Sequence, residues 1–379
     1  MTAIVGAAEC DLGVTGKSVL QLQVQAVSRA LADAGLQLSD VDGLATNNIG
    51  RFSTTELAQE LGIRPRWVES TFVGGSAFET YLARAVQAIE AGQAEVIVIS
   101  FASNQRSAKS RSLGGVVEEH LPAAQFETPY GPLYPLSYYA MAAQAYLHRY
   151  GASSADLAQV AVAARQWALL NPQAYRYEAG PLTVDDVLES TVISSPLRAA
   201  DCCLVTDGGG AIVVTSAARA RDLRNRPVQV LGYGEATGVA GMAAADDILD
   251  TGASAAAARA FAAAGLTPAD VDVAQIYDSF TITVLLSLEA IGFFGPGEAA
   301  PAAREGAFAP GGRLALNTSG GGLSYCHPGQ FGVLLLVEAV RQLRGQAGQR
   351  QVPDAEVALA HGTGGILSHH STILLGVDR

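Results

Sequence analysis

Apolar residues recur along the chain in two rhythms. A short apolar run at Ala3–Gly6 reads as a strand, and from about Lys17 to Ala34 the spacing is helical until Gly35, a residue suited to ending a helix. Later, EVIVIS ends at Ser100 and EVALAHG ends at Gly362, both continuous apolar strands bounded by glycine-containing turns. Phe331, Leu334, Leu335, Val337, Val340 and Leu343 repeat at helical spacing, as do Val284, Leu285, Leu288 and Ile291. Pro328 is placed to open the first of these helices.

The rhythms repeat. AVSRALADAGLQLSDVD at Ala26–Asp42 returns as AAARAFAAAGLTPADVD at Ala256–Asp272, with ten of seventeen positions identical at a constant offset of 230. AVQAI before Gly92 is echoed more loosely by AVRQL before Gly345. The chain is therefore an internal duplication. Strands alternating with helices of this length predict an α/β fold of duplicated βαβ halves, mostly parallel sheets covered by helices. The halves are read as 1–222 and 223–379, with an inserted loop lobe at about 101–200 carrying Pro122, Pro129, Pro132, Pro135 and the aromatic cluster Tyr130, Tyr134, Tyr138, Tyr139.

Composition narrows the function. The 379 residues are 49% hydrophobic and 16% charged, enough for a large core, and the net charge of -12 argues against a nucleic-acid partner. No apolar run is long enough to span a membrane, and MTAIVGAAEC lacks the basic start of a secretory signal. Cys10, Cys202, Cys203 and Cys326 form no CxxC pair, which points to a reduced, cytoplasmic protein; Cys202 and Cys203 read as packing. Adjacent His369 and His370 would face opposite sides of a strand, so no metal site is expected.

Candidate chemistry concentrates in NTSGGGLSYCHPGQFG at Asn317–Gly332. Gly320, Gly321 and Gly322 allow close approach of backbone to a ligand, and Tyr325, Cys326 and His327 follow at once. His327 is expected at or just before a helix N-terminus, where amides and the dipole favour developing negative charge. Asp278, beside Tyr277, reads as a helix cap. Cys326 and Ser76 are weaker nucleophile candidates, Ser76 having no base evident in the sequence. His361 lies at a strand end beside the same region, where it would orient a group at the site. Arg106, Lys109 and Arg111 form one basic run, suited to the phosphates of a ligand or an acidic partner.

Taken together, the two related halves, Gly74-Gly75 before a helix, YDSF at Tyr277–Phe280, the Asn317–Gly332 stretch and HGTGG at His361–Gly365 resemble the thiolase superfamily, in its sterol-carrier or lipid-transfer branch. The likeness covers essentially the whole chain. It implies a five-layered αβαβα fold, usually dimeric through the core sheet of the first half near EVIVIS. Thiolases carry a nucleophilic cysteine near Gly75–Ser76 and a second cysteine near Gly362–Thr363, and neither is present here. The branch that fits these losses is the thiolase-like aldolases that cut steroid side chains held as CoA thioesters. LRAADCCLVTDGGGAIVVTSAARARDL and FASNQRS resemble it too.

That resemblance implies retro-aldol cleavage of a β-hydroxyacyl-CoA with two tyrosines, matched by Tyr277 and Tyr325. Either would act as base if a neighbour lowered its pKa from about 10, with His327 holding the thioester oxygen. Tyr277, Tyr325 and His327 are expected in one pocket. No bound cofactor is expected, the CoA thioester being the substrate, and a small OB-fold, zinc-ribbon protein is the implied partner beside a second copy of the chain. Two alternatives stay open: acetyl-CoA acyltransferase chemistry through an atypical nucleophile, and a non-catalytic acyl- or lipid-binding subunit.

Overall fold

The computed structural model describes residues 1–110 and 119–377. The first repeat runs β1 (Thr2–Glu9), α1 (Val19–Ala34), β2 (Gly43–Thr46), α2 (Ser53–Leu61), β3 (Trp67–Glu69), α3 (Ala77–Glu90) and β4 (Val96–Ser103). The lobe follows with α4 (Pro122–Phe126), α5 (Leu136–Tyr150), α6 (Ser154–Ala168), α7 (Val184–Glu189) and a small hairpin of β5 (Val192–Ser194) and β6 (Leu197–Arg198). β7 (Gly208–Ser216) completes the repeat, and α8 (Ala217–Ala220) leads out of it. The second repeat is β8 (Val228–Thr237), α9 (Ala253–Ala264), β9 (Val273–Ile276), α10 (Thr281–Ile291), α11 (Ala299–Arg304), β10 (Ala315–Leu316), α12 (Gly332–Leu343), β11 (Val357–Gly364) and β12 (His369–Gly376).

The strand order is β3-β2-β4-β7-β1 in the first repeat and β10-β9-β11-β12-β8 in the second, the same arrangement twice. The duplication also shows in packing. A side chain on Gly6 of β1 would strike the carbonyl of Ala30 at 2.1 Å, and one on Gly232 of β8 would strike that of Ala260 at 2.3 Å. Ala30 and Ala260 are the same position of the sequence repeat, so each half seats its outer helix on a glycine.

Parallel pairing is confined to the outer three strands of each repeat; β7 runs antiparallel to β4 and β1, and β12 to β11 and β8. The mostly parallel sheet expected from sequence is thus a mixed one. The reason is connection length: β11 and β12 are joined by a turn at 365–368, too short for a crossover helix.

The layers follow from which faces are apolar. α1 covers the outer face of the first repeat, and α9 with α10 that of the second. α3 packs on β4 and β7 on one side and on β11 and β12 on the other, and α12 likewise bridges β11 and β9 to β7 and β1. Every residue from Ala77 to Ala83 and from Gly332 to Val340 is buried, as required of helices enclosed on all sides. The order is αβαβα, with α3 and α12 in the middle.

Two local expectations change. The helix after His327 begins at Gly332, five residues on, because Pro328 lies in a loop and not in its first turn. The EVIVIS strand is β4, whose two edges are taken by β2 and β7, so it offers no edge to a second chain; the open edge of the first repeat is β3.

Candidate active site

Tyr277 follows the last residue of β9, at the carboxyl end of a parallel strand, and its amide donates to the His361 carbonyl at 3.0 Å, prolonging the pairing with β11. This is where ligands meet sheets of this kind. Its ring lies against Gly75, just before α3: a Cβ there would be 2.2 Å from Cε2 of Tyr277. Glycine at position 75 is thus what lets the two repeats close on each other here.

His327 is fixed by the segment before β7. Its amide donates to Thr206 Oγ1 at 3.0 Å, and the Thr206 amide donates to the His327 carbonyl at 3.2 Å. The same segment reaches both neighbouring loops, with Cys203 donating its amide to the Ser279 carbonyl at 2.9 Å and Leu204 to that of Gly322 at 2.8 Å. The result places Nε2 of His327 at 2.9 Å from the Tyr277 hydroxyl, both side chains buried.

Burial holds His327 neutral, its pKa pushed down to about 4. Nε2 accepts from the phenol in the tautomer whose proton sits on Nδ1, and this is the tautomer a relay from Tyr277 requires. Burial pushes Tyr277 well above the usual phenol value, and Cys203, Tyr139, Asp278 and Glu79 reinforce the shift. None of these four is a cation, so the lowered phenol pKa anticipated from sequence does not arise. What the pair can do is relay: Tyr277 passes its proton to His327 while taking another.

Tyr325 goes elsewhere. Its hydroxyl donates to Glu9 Oε1 at 2.7 Å, and Glu9 forms a buried ion pair with Arg341 of α12. Phe331 stands between the tyrosines, its ring centre 5.9 Å from that of Tyr277 and 6.5 Å from that of Tyr325. The expectation of both hydroxyls in one pocket with His327 is overturned, because a buried carboxylate and guanidinium claim the second phenol. Burial also raises the pKa of Tyr325, with the Glu9 charge adding to it. A cleft of about 630 Å³ opens beside Glu9, Cys10, Asp11, Arg29, Gln173 and Arg341. Arg29 is held by Asp11 and the Glu9 carbonyl and Arg341 by Glu9, so these charges satisfy one another and the chemistry is better placed at Tyr277.

The other candidates separate in the same way. Asp278 does not cap α10. Its carboxylate takes the amides of Gly322 at 2.6 Å and Leu323 at 3.1 Å, pinning the turn Gly321–Tyr325 beside His327, and burial pushes its pKa up to about 7. Gly320, Gly321 and Gly322 face protein and not a ligand: side chains there would strike Ala168 at 2.6 Å, Asp278 Oδ2 at 2.1 Å and Asp278 Oδ1 at 3.0 Å, respectively. Cys326 points away from His327, its Sγ 3.2 Å from Thr206 Oγ1 and its thiol pushed up by burial to about 12, which leaves no thiolate for nucleophilic attack.

His361 turns to the opposite face of β11, with Nδ1 2.8 Å from Thr372 Oγ1 and Nε2 3.2 Å from His370 Nδ1. It contributes its carbonyl to the site and not its ring. Arg106 and Lys109 are exposed on the loop after β4, which Ser107 ties to Asp207, while Arg111 lies outside the described residues.

Ser76 does have a base nearby. Its Oγ is 2.8 Å from Nδ1 of His369 and also within 3.2 Å of the Val73 carbonyl. His369 faces the central layer while His370 faces away, as alternation along a strand requires. Sequence reasoning passed over Thr206, Glu9, Arg341 and Glu79, weighed His369 only as a metal ligand, and read Cys203 as packing. Only Glu79 left a trace, a carboxylate within a helical turn that is otherwise uncharged.

Duplicated halves, a pair of central helices with one from each repeat, and a buried Tyr–His pair define a thiolase-fold enzyme without a cysteine nucleophile. Residues 234–377 match the family described as Thiolase C-terminal domain-like. The chain is 38% identical to the 17-hydroxy-3-oxo-4-pregnene-20-carboxyl-CoA lyase of Mycobacterium tuberculosis, over 96% of each sequence. It is 36% identical to the steroid side-chain-cleaving aldolase of Thermomonospora curvata, over 96% of this chain and 95% of that protein. Among solved structures, the Ltp2-ChsH2(DUF35) aldolase superposes with a TM-score of 0.90 at 35% identity, covering 100% of this chain and 98% of that one. The chain belongs to the thiolase superfamily, in the sterol-carrier-type branch that contains these aldolases.

Proposed function

We propose that the protein cleaves the carbon–carbon bond of a β-hydroxyacyl-CoA by a retro-aldol reaction, with a steroid side chain as the favoured acyl class. The observation that carries this is the 2.9 Å contact between the Tyr277 hydroxyl and a neutral His327 Nε2. The substrate hydroxyl gives its proton to the Tyr277 oxygen as the Tyr277 proton moves to His327. The Cα–Cβ bond then breaks, its electrons entering the thioester as an enolate and the former alcohol becoming a ketone. Returning the proton from His327 through Tyr277 to the enolate carbon gives the shortened acyl-CoA, so atoms and charge balance without an acyl-enzyme or a bound cofactor. The names of the two sequence relatives support the substrate class.

A DUF35 protein, a small OB-fold chain with a zinc ribbon, is the proposed partner, on the strength of the Ltp2-ChsH2(DUF35) aldolase. A second copy of the chain is proposed at the open edge of the first repeat, where Val68 on β3 and nearby Phe72 are 51% and 63% exposed. The four free thiols suit a reducing, cytoplasmic setting. Arg106 and Lys109, on the loop anchored next to Thr206, suit the CoA phosphates. The test is incubation of the purified chain, with and without the DUF35 partner, with β-hydroxyacyl-CoA and β-ketoacyl-CoA. Ketone and shortened acyl-CoA should form from the hydroxy substrate; thiolysis of the keto substrate alone would overturn the proposal.

One observation favours a second reading, acyl transfer from Ser76 with His369 as its base, because the two lie 2.8 Å apart. Ser76 is fully buried, however, and Gly364 packs so closely that a Cβ there would be 2.7 Å from its Oγ, leaving no room for a thioester. A stable acyl adduct on Ser76 seen by mass spectrometry would establish this reading.

A further inference from the structure

Glu79 sits in the first turn of α3, fully buried, and among the described residues neither carboxylate oxygen has a hydrogen-bond partner. Its place is built. Side chains on Gly332, at the start of α12, and on Gly362, within β11, would each come within 2.4 Å of Oε2, so two glycines from separate elements hold the space open. The Gly332 side chain would also strike the carbonyl of Gly75 at 2.5 Å, which puts the carboxyl at the junction behind the very residue on which the Tyr277 ring rests. An uncharged side chain of similar size would fill this slot without the cost of burying an unpartnered acid. Unpartnered buried acids of this sort concentrate where proton transfer takes place.

Among the described residues, the ionisable groups packed against the helix are engaged elsewhere. His369 on β12 is engaged by Ser76, and Glu235 on β8 by Arg84 and Thr80. On α12, Glu338 pairs with Arg350 and Arg341 with Glu9 of β1; Glu69 on β3 accepts from Ser70 and Thr71, and His361 of β11 faces the other way. Asp207, ahead of β7, is taken by Thr15 and Ser107, and β4 brings no ionisable side chain. Tyr277 remains as the group in electrostatic contact with Glu79.

We propose that Glu79 is a positioning residue for the Tyr277–His327 relay: as a neutral acid it closes the junction behind Gly75 on which the Tyr277 ring rests, and as a carboxylate, which cannot stay dry and unpartnered, it loosens that junction and shuts the relay off. The inference rests on the reaction proposed above. Burial pushes the Glu79 pKa up to about 8, which places this change within reach of ordinary assays.

The test compares kcat/KM against pH for the wild type and Glu79→Gln on a β-hydroxyacyl-CoA. Wild-type activity should drop about tenfold between pH 7 and pH 9, one unit beyond the group's titration, and the Gln variant should lose the fall near pH 8. Identical alkaline limbs would overturn the proposal, since a packing role alone would not tie the limb to this carboxyl. Should no hydroxyacyl thioester be cleaved at all, the proposed function fails by itself, and near-ultraviolet circular dichroism then decides about Glu79. The band lost in Tyr277→Phe should weaken between pH 7 and pH 9 in wild type and persist in Glu79→Gln, and a band with the same pH dependence in both would overturn the proposal.

Discussion

The hydroxyl of Tyr277 lies 2.9 Å from Nε2 of His327, fifty positions further along the chain, and no cation reaches the phenol among the groups that act on it. The contact joins the end of β9 to the loop held by Thr206, elements the duplication brings to one place. It favours a mechanism in which neither group is charged at rest. A resting phenolate would need a neighbouring positive charge, and the Arg341 guanidinium pairs with Glu9, which accepts from Tyr325, instead.

Tyr325→Phe should therefore be a stability variant. Loss of the hydroxyl that donates to Glu9 is expected to cost about 1–3 kcal/mol in urea unfolding while turnover stays within a few-fold. A hundredfold loss of turnover with unchanged stability would return Tyr325 to the chemistry.

Breaking the ion pair beneath it should cost more. Arg341→Ala leaves Glu9 buried without its counter-charge, and about 3–5 kcal/mol of destabilisation is expected from thermal or denaturant unfolding. Burial raises the Glu9 pKa, but Arg341 and Tyr325 outweigh it and hold it below 4.5. The stabilisation from Glu9 is thus fully present above its ordinary pKa and fades as pH falls through the lower folded value. In Arg341→Ala this acid sensitivity should shrink.

His327 gives a second pH signature. Its folded pKa of about 4 is below the unfolded 6.5, so its neutral burial contributes stability above pH 6.5 that declines as pH drops toward 4. The relay needs Nε2 free, so the acid limb of kcat/KM that His327 controls should lie near pH 4. An acid limb near 6.5 that vanishes in His327→Gln would show that the imidazole is solvated, contrary to the geometry.

Much of this was legible from sequence. The offset of 230 reveals the repeat, and the structure seats Gly6 on Ala30 and Gly232 on Ala260 in the same way. Tyr277 and His327 stand out by their motifs, and the structure brings their side chains together. What periodicity could not show was direction at irregular backbone: the turn Gly321–Tyr325 sends Tyr325 to Glu9, and the extended Cys326 that follows returns His327 to Tyr277. The three glycines suggested an open cradle but serve to let Asp278 and Ala168 close on the loop. Glu9 and His369 act through partners far away in sequence, and no local spacing marks them; Glu79 shows only as a carboxylate in an otherwise uncharged helical turn.

Product analysis of a β-hydroxyacyl-CoA incubated with wild type and with Tyr277→Phe tests the central claim most directly. The account predicts equimolar ketone and shortened acyl-CoA from the wild type, no acyl adduct on the protein, and a rate lower by on the order of 10²-fold or more in Tyr277→Phe with unfolding unchanged. Full activity in Tyr277→Phe, or cleavage that proceeds through an acyl-protein adduct, would contradict it.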